Sequence, residues 1–206
     1  MNAGAIVLCG GRSTRMGSSK ALLAFGGETM LQRVVRLLRT VVAPVVVVAA
    51  DDQPLPELPA DVLVARDEQE GRGPLEGLRA GLKALPVSVD AAYVTSCDVP
   101  LLVPDFARHM IDLLGDHDVA VMEVDGFPHP LSAVYRRTTL PHVEELLARD
   151  RLRPVYLFDA VRTRRVQPAE MAAADPDLLT LRNLNTREDY EEALRQFTSR
   201  AGGGIR

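Results

Sequence analysis

The sequence predicts a single α/β domain built on a mostly parallel β-sheet. Two observations carry this prediction. Short apolar runs of strand length alternate with amphipathic stretches of helix length, a pattern typical of parallel strands joined by right-handed helical crossovers. The chain of 206 residues also contains no internal repeat or interdomain linker. With 47% hydrophobic and 25% charged residues, it has apolar material for one globular core.

The first half of the chain carries four strand candidates and two helix candidates. The β-branched run at 44–50 suits a central strand, because a strand covered on both faces loses its polar alternation. The other strands are expected at 5–9, 62–65 and 91–95, and the second helix at 75–85. The first helix is predicted over 29–40, and one of its faces would bury Met30, Leu31, Val34, Val35 and Leu38.

The second half begins with a helix from Pro104 to about 114, since proline is tolerated in a first helical turn. A strand at 118–124 leads through an Asp125-Gly126 turn to a hairpin partner at 131–136. A helix at 140–149 and an extended piece at 162–167 follow. The terminal helix is predicted at 187–197, with Thr186 as its cap and one face made of Tyr190, Leu194 and Phe197.

Composition excludes several classes of protein. The formal net charge of -4 leaves no positive excess for holding nucleic acid by counterion release. Cys9 and Cys97 are the only cysteines, which rules out a disulfide framework, and we expect small buried residues at strand ends rather than a redox pair. No basic leader and no apolar run of roughly 20 residues is present, so the prediction is a cytoplasmic protein without a membrane partner.

The segment 8–20 is the strongest motif. It combines Gly10, Gly11 and Gly17 with the cations Arg12, Arg15 and Lys20 directly after the first predicted strand. Glycines let backbone N–H groups approach phosphate oxygens, and three cations can neutralise a triphosphate. The spacing matches neither a P-loop nor a dinucleotide-binding Gly-x-Gly-x-x-Gly. The alternative is a strand-to-helix turn with solvated basic residues.

Two further motifs come after predicted strands, one after the strand at 62–65 and one after the strand at 91–95. Gly73, Pro74 and Leu75 open a helix whose first N–H groups suit a base edge or a phosphate, although simple helix initiation explains them too. Asp98 leaves the end of a buried strand, where ligands gather in α/β sheets, and is the candidate Mg²⁺ ligand. Its alternative is an Asp that makes a local turn with its own backbone.

The segment 8–20 resembles the signature of the molybdenum cofactor guanylyltransferases and their nucleotidyltransferase relatives, Leu-x-Gly-Gly-x-Ser-x-Arg-Met-Gly-x-x-Lys, at every fixed position. The resemblance covers nearly the whole chain. It implies a Rossmann-like three-layer α/β/α nucleotidyltransferase fold over 1–199, with a nucleotide-binding half at about 1–100 and an acceptor-binding half at about 101–199. Residues 200–206, with three glycines, are expected to form a disordered tail.

The resemblance also implies an enzyme that transfers GMP from GTP to the terminal phosphate of Mo-molybdopterin, with Mg²⁺ as cofactor. The Gly-Pro-Leu-x-Gly element at 73–77 resembles the guanylyl branch, and Asp67 stands where the family has an acidic nucleotide contact. The implied catalytic residues are Arg15, Lys20 and Asp98, with Asp98 on the metal. The implied nucleotide contacts are Leu8, Cys9, Gly10, Gly11, Lys20, Asp67, Gly73, Pro74, Leu75 and Asp98.

Weaker elements of the resemblance place His129, Asn183 and Asn185 at the acceptor, although each also suits a structural turn or a cap. Val48 is a departure, because guanylyl enzymes often carry a nucleotide-contacting Asn at this strand end. CTP-dependent transfer therefore stays open, as does a non-catalytic nucleotide-binding protein that delivers the cofactor. Molybdenum-insertion proteins and molybdoenzymes are the expected partner proteins.

Overall fold

The computed structural model describes residues 1–9, 19–67, 69 and 71–202, with side chains through residue 198. Its strands are β1 (Ala3–Leu8), β2 (Ala24–Phe25), β3 (Glu28–Thr29), β4 (Val45–Ala49), β5 (Leu63–Arg66), β6 (Ala91–Ser96), β7 (Val119–Val124), β8 (Phe127–Arg136) and β9 (Thr163–Val166). Its helices are α1 (Met30–Leu38), α2 (Pro74–Ala84), α3 (Pro104–Leu113), α4 (Leu140–Ala148), α5 (Val155–Ala160) and α6 (Arg187–Gly202).

One seven-stranded sheet organises the molecule, in the order β5-β4-β1-β6-β8-β7-β9. Its strands pair in parallel except β8, which runs antiparallel to both β6 and β7. The carboxyl ends of β4, β1 and β6 therefore meet at one edge of the sheet. This confirms the predicted α/β fold with a mostly parallel sheet.

The side chains of the central strands point alternately to the two faces of the sheet, and each face carries a hydrophobic core. In β1, Ala5 and Val7 pack with residues of α1 and α3, whereas Ile6 and Leu8 pack with residues of α2 and α4. The sheet is thus the middle of three layers, as the resemblance implied. Both faces of β4 are buried as well, which explains its uninterrupted run of valines.

Helix α1 begins at a capping box in which Thr29 Oγ accepts from the backbone N–H of Gln32, and the Gln32 side chain accepts from the N–H of Thr29. Its buried residues are the five predicted, namely Met30, Leu31, Val34, Val35 and Leu38. Within the described part of the chain, none of the helices is both long and apolar enough to cross a bilayer.

Five segments differ from the sequence prediction. Strand β8 begins at Phe127 rather than 131, so His129 lies in a strand instead of a loop. The register of β7 against β8 shifts between Val121 and Met122, which accommodates the prolines at 128 and 130. Helix α5 and the two-residue strands β2 and β3 have no counterpart in the prediction. Residues 200–202, expected in a disordered tail, continue α6, and residues 203–206 lie outside the described chain.

Candidate active site

A cleft of about 1200 Å³ opens at the carboxyl ends of β1, β4 and β6, beside the first turn of α2. This is the edge where α/β sheets bind ligands, because the loops there leave the strands without blocking them. Described residues of several elements line it: Leu8, Cys9, Ser19, Lys20, Val48, Gln53, Asp67, Arg72, Gly73, Pro74, Glu76, Gly77, Asp98, Asn183 and Asn185. Most of the predicted site residues that the structure describes are therefore brought together.

The charged centre of the cleft is an ion pair. Lys20 begins a short 3₁₀ turn, and its Nζ lies 2.8 Å from Asp98 Oδ2, two residues beyond the end of β6. The side chains are only 16% and 13% exposed, so the pair is shielded from much of the solvent screening. A cation and a carboxylate at one strand edge can address phosphate oxygens and a metal ion, respectively.

Three neighbours fix the orientation of this pair. Asp98 Oδ1 accepts from Ser96 Oγ at 2.5 Å and from Asn183 Nδ2 at 3.0 Å. Lys20 Nζ donates in addition to Asn185 Oδ1 at 2.8 Å. Both oxygens of Asp98 are thus hydrogen-bonded, and the two asparagine side chains act directly on the charged centre rather than only on their own turn.

The segment that carries both asparagines is anchored at its centre and at its C-terminal end. Leu184 is buried against Phe25 and Met30, and its backbone N–H donates to the carbonyl of Asp98 at 2.9 Å. Thr186 caps α6 as predicted, because its Oγ accepts from the N–H of Asp189 at 3.1 Å. The pKa of Asp189 is lowered, chiefly by the hydrogen bond from the backbone N–H of Thr186.

The wall opposite this segment is the start of α2. Gly73 caps the helix with φ +74°, a conformation that favours glycine, and Pro74 occupies the first turn. A Cβ at Gly77 would lie 3.1 Å from Leu8 Cδ2, so the glycine permits α2 to pack against the end of β1. Gly77 of the Gly-Pro-Leu-x-Gly element is therefore explained by packing, and it also lines the cleft together with Gly73 and Pro74.

Sequence reasoning missed Gln53. Its Nε2 donates to the carbonyl of Cys9 at 3.0 Å and to Ser19 Oγ at 3.1 Å. These two residues flank the segment 10–18, so one amide side chain ties both ends of the glycine-rich motif together. An isolated glutamine in a loop carries no signal that could have predicted this contact.

Comparison with known proteins identifies the family of the chain. The family model of the MobA-like NTP transferase domain matches residues 5–165. The chain belongs to this family. It is 34% identical to a molybdenum cofactor guanylyltransferase of Desulfosudis oleivorans over 91% of this chain and 92% of that protein. It is 31% identical to a probable molybdenum cofactor guanylyltransferase of Carboxydothermus hydrogenoformans over 93% and 95%, respectively.

Solved structures share the fold of this MobA-like chain. The molybdopterin-guanine dinucleotide biosynthesis protein A of Archaeoglobus fulgidus superposes with a TM-score of 0.80 at 18% identity, covering 95% of this chain and 99% of that one. A Mycobacterium tuberculosis protein in complex with manganese superposes with a TM-score of 0.62 at 17% identity, over 95% and 99%. At these identities the likeness concerns the fold alone.

The two cysteines of this MobA-like domain lie where the sequence predicted, buried at the ends of β1 and β6. A hydrogen bond with Cys97, together with burial, raises the pKa of Cys9 well above its ordinary value. A reactive thiol requires the opposite shift, because the thiolate is the nucleophile. The buried, unreactive interpretation therefore has the physical support.

The remaining predicted residues divide into three groups. Leu75, predicted as a nucleotide contact, is fully buried in the core between α2 and the sheet and is not part of the described cleft lining. His129 is half-buried in β8 opposite Met122 and is not part of the described cleft lining, although Leu131, two residues further along the strand, is. Burial lowers the pKa of His129. Its role at the acceptor stays a prediction. Gly10, Gly11 and Arg15 lie outside the described residues.

Proposed function

We propose that this protein transfers GMP from GTP to the terminal phosphate of Mo-molybdopterin and releases pyrophosphate. The observation that carries the proposal is the Lys20–Asp98 pair, held beside the first turn of α2 in a cleft at the sheet edge. Its relatives of 31% and 34% identity carry the name molybdenum cofactor guanylyltransferase, which supports the choice of base and acceptor.

A divalent cation fits this site, and we take it to be Mg²⁺. Among the described residues, no group of three or more His, Cys, Asp or Glu side chains is arranged to hold a metal. Mg²⁺ suits such a place, since it commonly takes one or two carboxylates and completes its shell with substrate phosphates and water. Asp98 would hold the ion, and Ser96 and Asn183 already orient its carboxylate. When bound, Mg²⁺ would neutralise phosphate charge.

No protein nucleophile is required, because the acceptor phosphate is already ionised near neutral pH. The protein's task is to align two anions and to offset their repulsion. In this proposal Lys20, with Arg15 and the Gly10-Gly11 backbone, holds the triphosphate. Lys20 bonds Asp98 and Asn185 in the structure, so an arriving phosphate would share or replace these partners.

The acceptor would enter the cleft from the side that is formed by the second half of the chain. Asn183 and Asn185 reach the charged centre from that side, and we propose that they contact the incoming phosphate while they position Asp98 and Lys20. His129 lies farther along β8 and is proposed as a contact to the body of the pterin acceptor. Molybdenum-insertion proteins and molybdoenzymes are the proposed protein partners.

The test is turnover with purified molybdopterin, molybdate and Mg²⁺ against each of the four nucleoside triphosphates, read as pyrophosphate release. GTP should be the preferred donor. Asp98→Ala and Lys20→Ala should each lose about a hundredfold or more in rate, the usual cost of one preorganised contact. Asp61→Ala is the matched control, because Asp61 forms an exposed ion pair with Arg39.

Each contrary result has its own meaning. Near-wild-type release by the Asp98 and Lys20 variants would refute the assigned roles. A preference for CTP would make the protein a cytidylyltransferase. Tight GTP binding without pyrophosphate release, in the presence of authentic acceptor, would instead support a protein that delivers the cofactor without chemistry.

A further inference from the structure

Gln53 lines the cleft, and its side-chain amide is engaged with other residues of the site. Its Nε2 donates to the carbonyl of Cys9 at 3.0 Å and to Ser19 Oγ at 3.1 Å, and its Oε1 accepts from the backbone N–H of Ala50 at 3.3 Å. A carbonyl only accepts and a backbone N–H only donates, so these partners fix which end of the amide carries the nitrogen. Both amide hydrogens are therefore used within the protein.

The loop that carries Gln53 is itself held in place. The backbone N–H of Gln53 donates to the carbonyl of Ala50 at 3.2 Å, which closes a turn directly after β4. Arg66, the last residue of β5, donates from Nη1 to the carbonyls of Ala50 at 2.6 Å and of Gln53 at 3.0 Å. The Gln53 amide therefore extends from a fixed backbone, and it can hold the residues that it bonds.

The two partners of Nε2 are the residues on either side of the segment 10–18. Cys9 continues the pairing of β1 with β4, because its N–H donates to a carbonyl of β4 at 2.7 Å. Ser19 is the N-cap of the 3₁₀ turn that begins at Lys20. Gln53 thus links the point where the chain leaves the sheet to the point where the turn of Lys20 begins.

We propose, on the basis of the GTP-dependent transfer above, that Gln53 is a positioning residue for the triphosphate. It holds Ser19 against the end of β1, and Ser19 sets the turn from which Lys20 reaches the charged centre. Groups that are already in place bind a ligand more tightly, because less conformational entropy is lost on binding. Gln53 thus acts on the phosphates through its neighbours, and not on the base.

Equilibrium binding of GMP, GDP and GTP with Mg²⁺ to the wild type and to Gln53→Ala measures this role without turnover. The variant loses the hydrogen bonds to Cys9 and Ser19, so GTP should bind about tenfold more weakly. The loss should be smaller for GDP and within about twofold for GMP, because fewer phosphates then use the segment. Equal losses for the three nucleotides would overturn the proposal, since a general disturbance of the cleft weakens them alike.

Inosine triphosphate separates phosphate positioning from base recognition. It carries the same triphosphate as GTP but lacks the 2-amino group of the base, so Gln53→Ala should weaken the binding of both nucleotides by the same factor. A loss for GTP without a loss for inosine triphosphate would show that Gln53 contacts the base, which contradicts the proposal.

Gln32→Ala is the matched control. The Gln32 amide also joins backbone groups, since its Nε2 donates to the carbonyl of Glu57 at 2.9 Å and its Oε1 accepts from the N–H of Thr29 at 2.9 Å. Gln32 lies in the first turn of α1 and is not part of the described cleft lining. The control should keep all three nucleotide affinities within about twofold; a selective loss of GTP affinity here too would count against a specific role of Gln53.

Ser19→Ala tests the path from Gln53 to Lys20. In this variant the Gln53 amide has already lost its partner Ser19 Oγ. The double variant with Gln53→Ala should therefore weaken GTP binding by less than the product of the two single factors. Factors that simply multiply would refute the proposed path.

Two further outcomes are also decisive. If Gln53→Ala does not fold, as judged by thermal unfolding, Gln53→Met replaces it, because methionine keeps the size of the side chain without its hydrogen bonds. Wild-type affinity for GTP in that variant would refute the role of Gln53. The expected series of losses in a protein that releases no pyrophosphate would instead refute the proposed transfer and leave the role of Gln53 standing.

Discussion

Replacing Gly81 by alanine should destabilise the protein, although alanine is the better helix former. Helix α2 lies so close to β1 that a Cβ at Gly81 would be 2.5 Å from Cγ2 of Ile6 and 2.9 Å from its Cδ1. Carbon atoms in favourable contact are about 3.5 to 4.0 Å apart. Ile6 is fully buried in a central strand, so the helix or the strand must move by about 1 Å.

Two opposing effects determine the size of the change. Alanine in place of glycine inside a helix stabilises by up to about 1 kcal/mol. Overpacking a close-packed core costs about 1 to 3 kcal/mol. Because the closest contact is far inside van der Waals distance and involves a stiff β-branched side chain, the steric cost should prevail by about 1 to 2 kcal/mol. For a chain of this size the melting temperature should fall by about 2 to 8 °C.

Urea unfolding of wild type and variant measures the difference directly. Gly77→Ala is the internal comparison, because its Cβ would meet the flexible ends of Leu8 at 3.1 and 3.3 Å and should cost less. In a double variant with Ile6→Ala the clashing atoms are absent, so the loss should be smaller than the sum of the single losses. The reasoning is wrong if Gly81→Ala raises the free energy of unfolding, as it would at an unconstrained helical site.

Two further predictions concern the second half of the chain. Phe197→Ala should lower the free energy of unfolding, measured in urea, by about 2 to 3 kcal/mol, because the centre of its ring lies 5.4 Å from that of Phe25 and 4.3 Å from the guanidinium of Arg33. Arg195 is exposed on the same helix, so Arg195→Ala is the control and should change this free energy little. Burial lowers the pKa of His129 in the folded protein, so the free energy of unfolding should be highest above pH 6.5 and should decrease as the pH falls from 6.5 through the lowered pKa. His129→Gln should flatten this decrease. An unchanged pH profile of the variant would contradict the prediction.

The sheet and its principal helices were predictable because they are encoded locally. The run at 44–50 became β4 (Val45–Ala49), and the amphipathic stretch at 29–40 became α1 with the expected buried face. Asp98 could be placed at a strand end, since a buried apolar run stops just before it. Each of these inferences required only the period of a strand or a helix and its termination signals.

Elements without a local signal were missed. The strands β2 and β3 have two residues each, too few to show any periodicity. The start of β8 was hidden by Pro128 and Pro130, which read as a loop. Pairing of β8 with β6 ends at Ala133, so neither proline interrupts that ladder. The secondary structure of such segments is determined by their tertiary contacts and not by the intrinsic propensities of their residues.

The asparagines near the terminal helix show why a structural and a functional interpretation need not exclude each other. The backbone N–H of Asn185 donates to Asp189 as part of the cap of α6, while its side-chain oxygen accepts from Lys20, 165 positions earlier in the sequence. The cap fixes the backbone, and the fixed backbone presents the amide to the charged centre. Sequence patterns reveal the first role, which is local, but the second exists only after α6 has docked on the aromatic cluster around Phe25. The geometry of Lys20 therefore depends on the packing of the last helix.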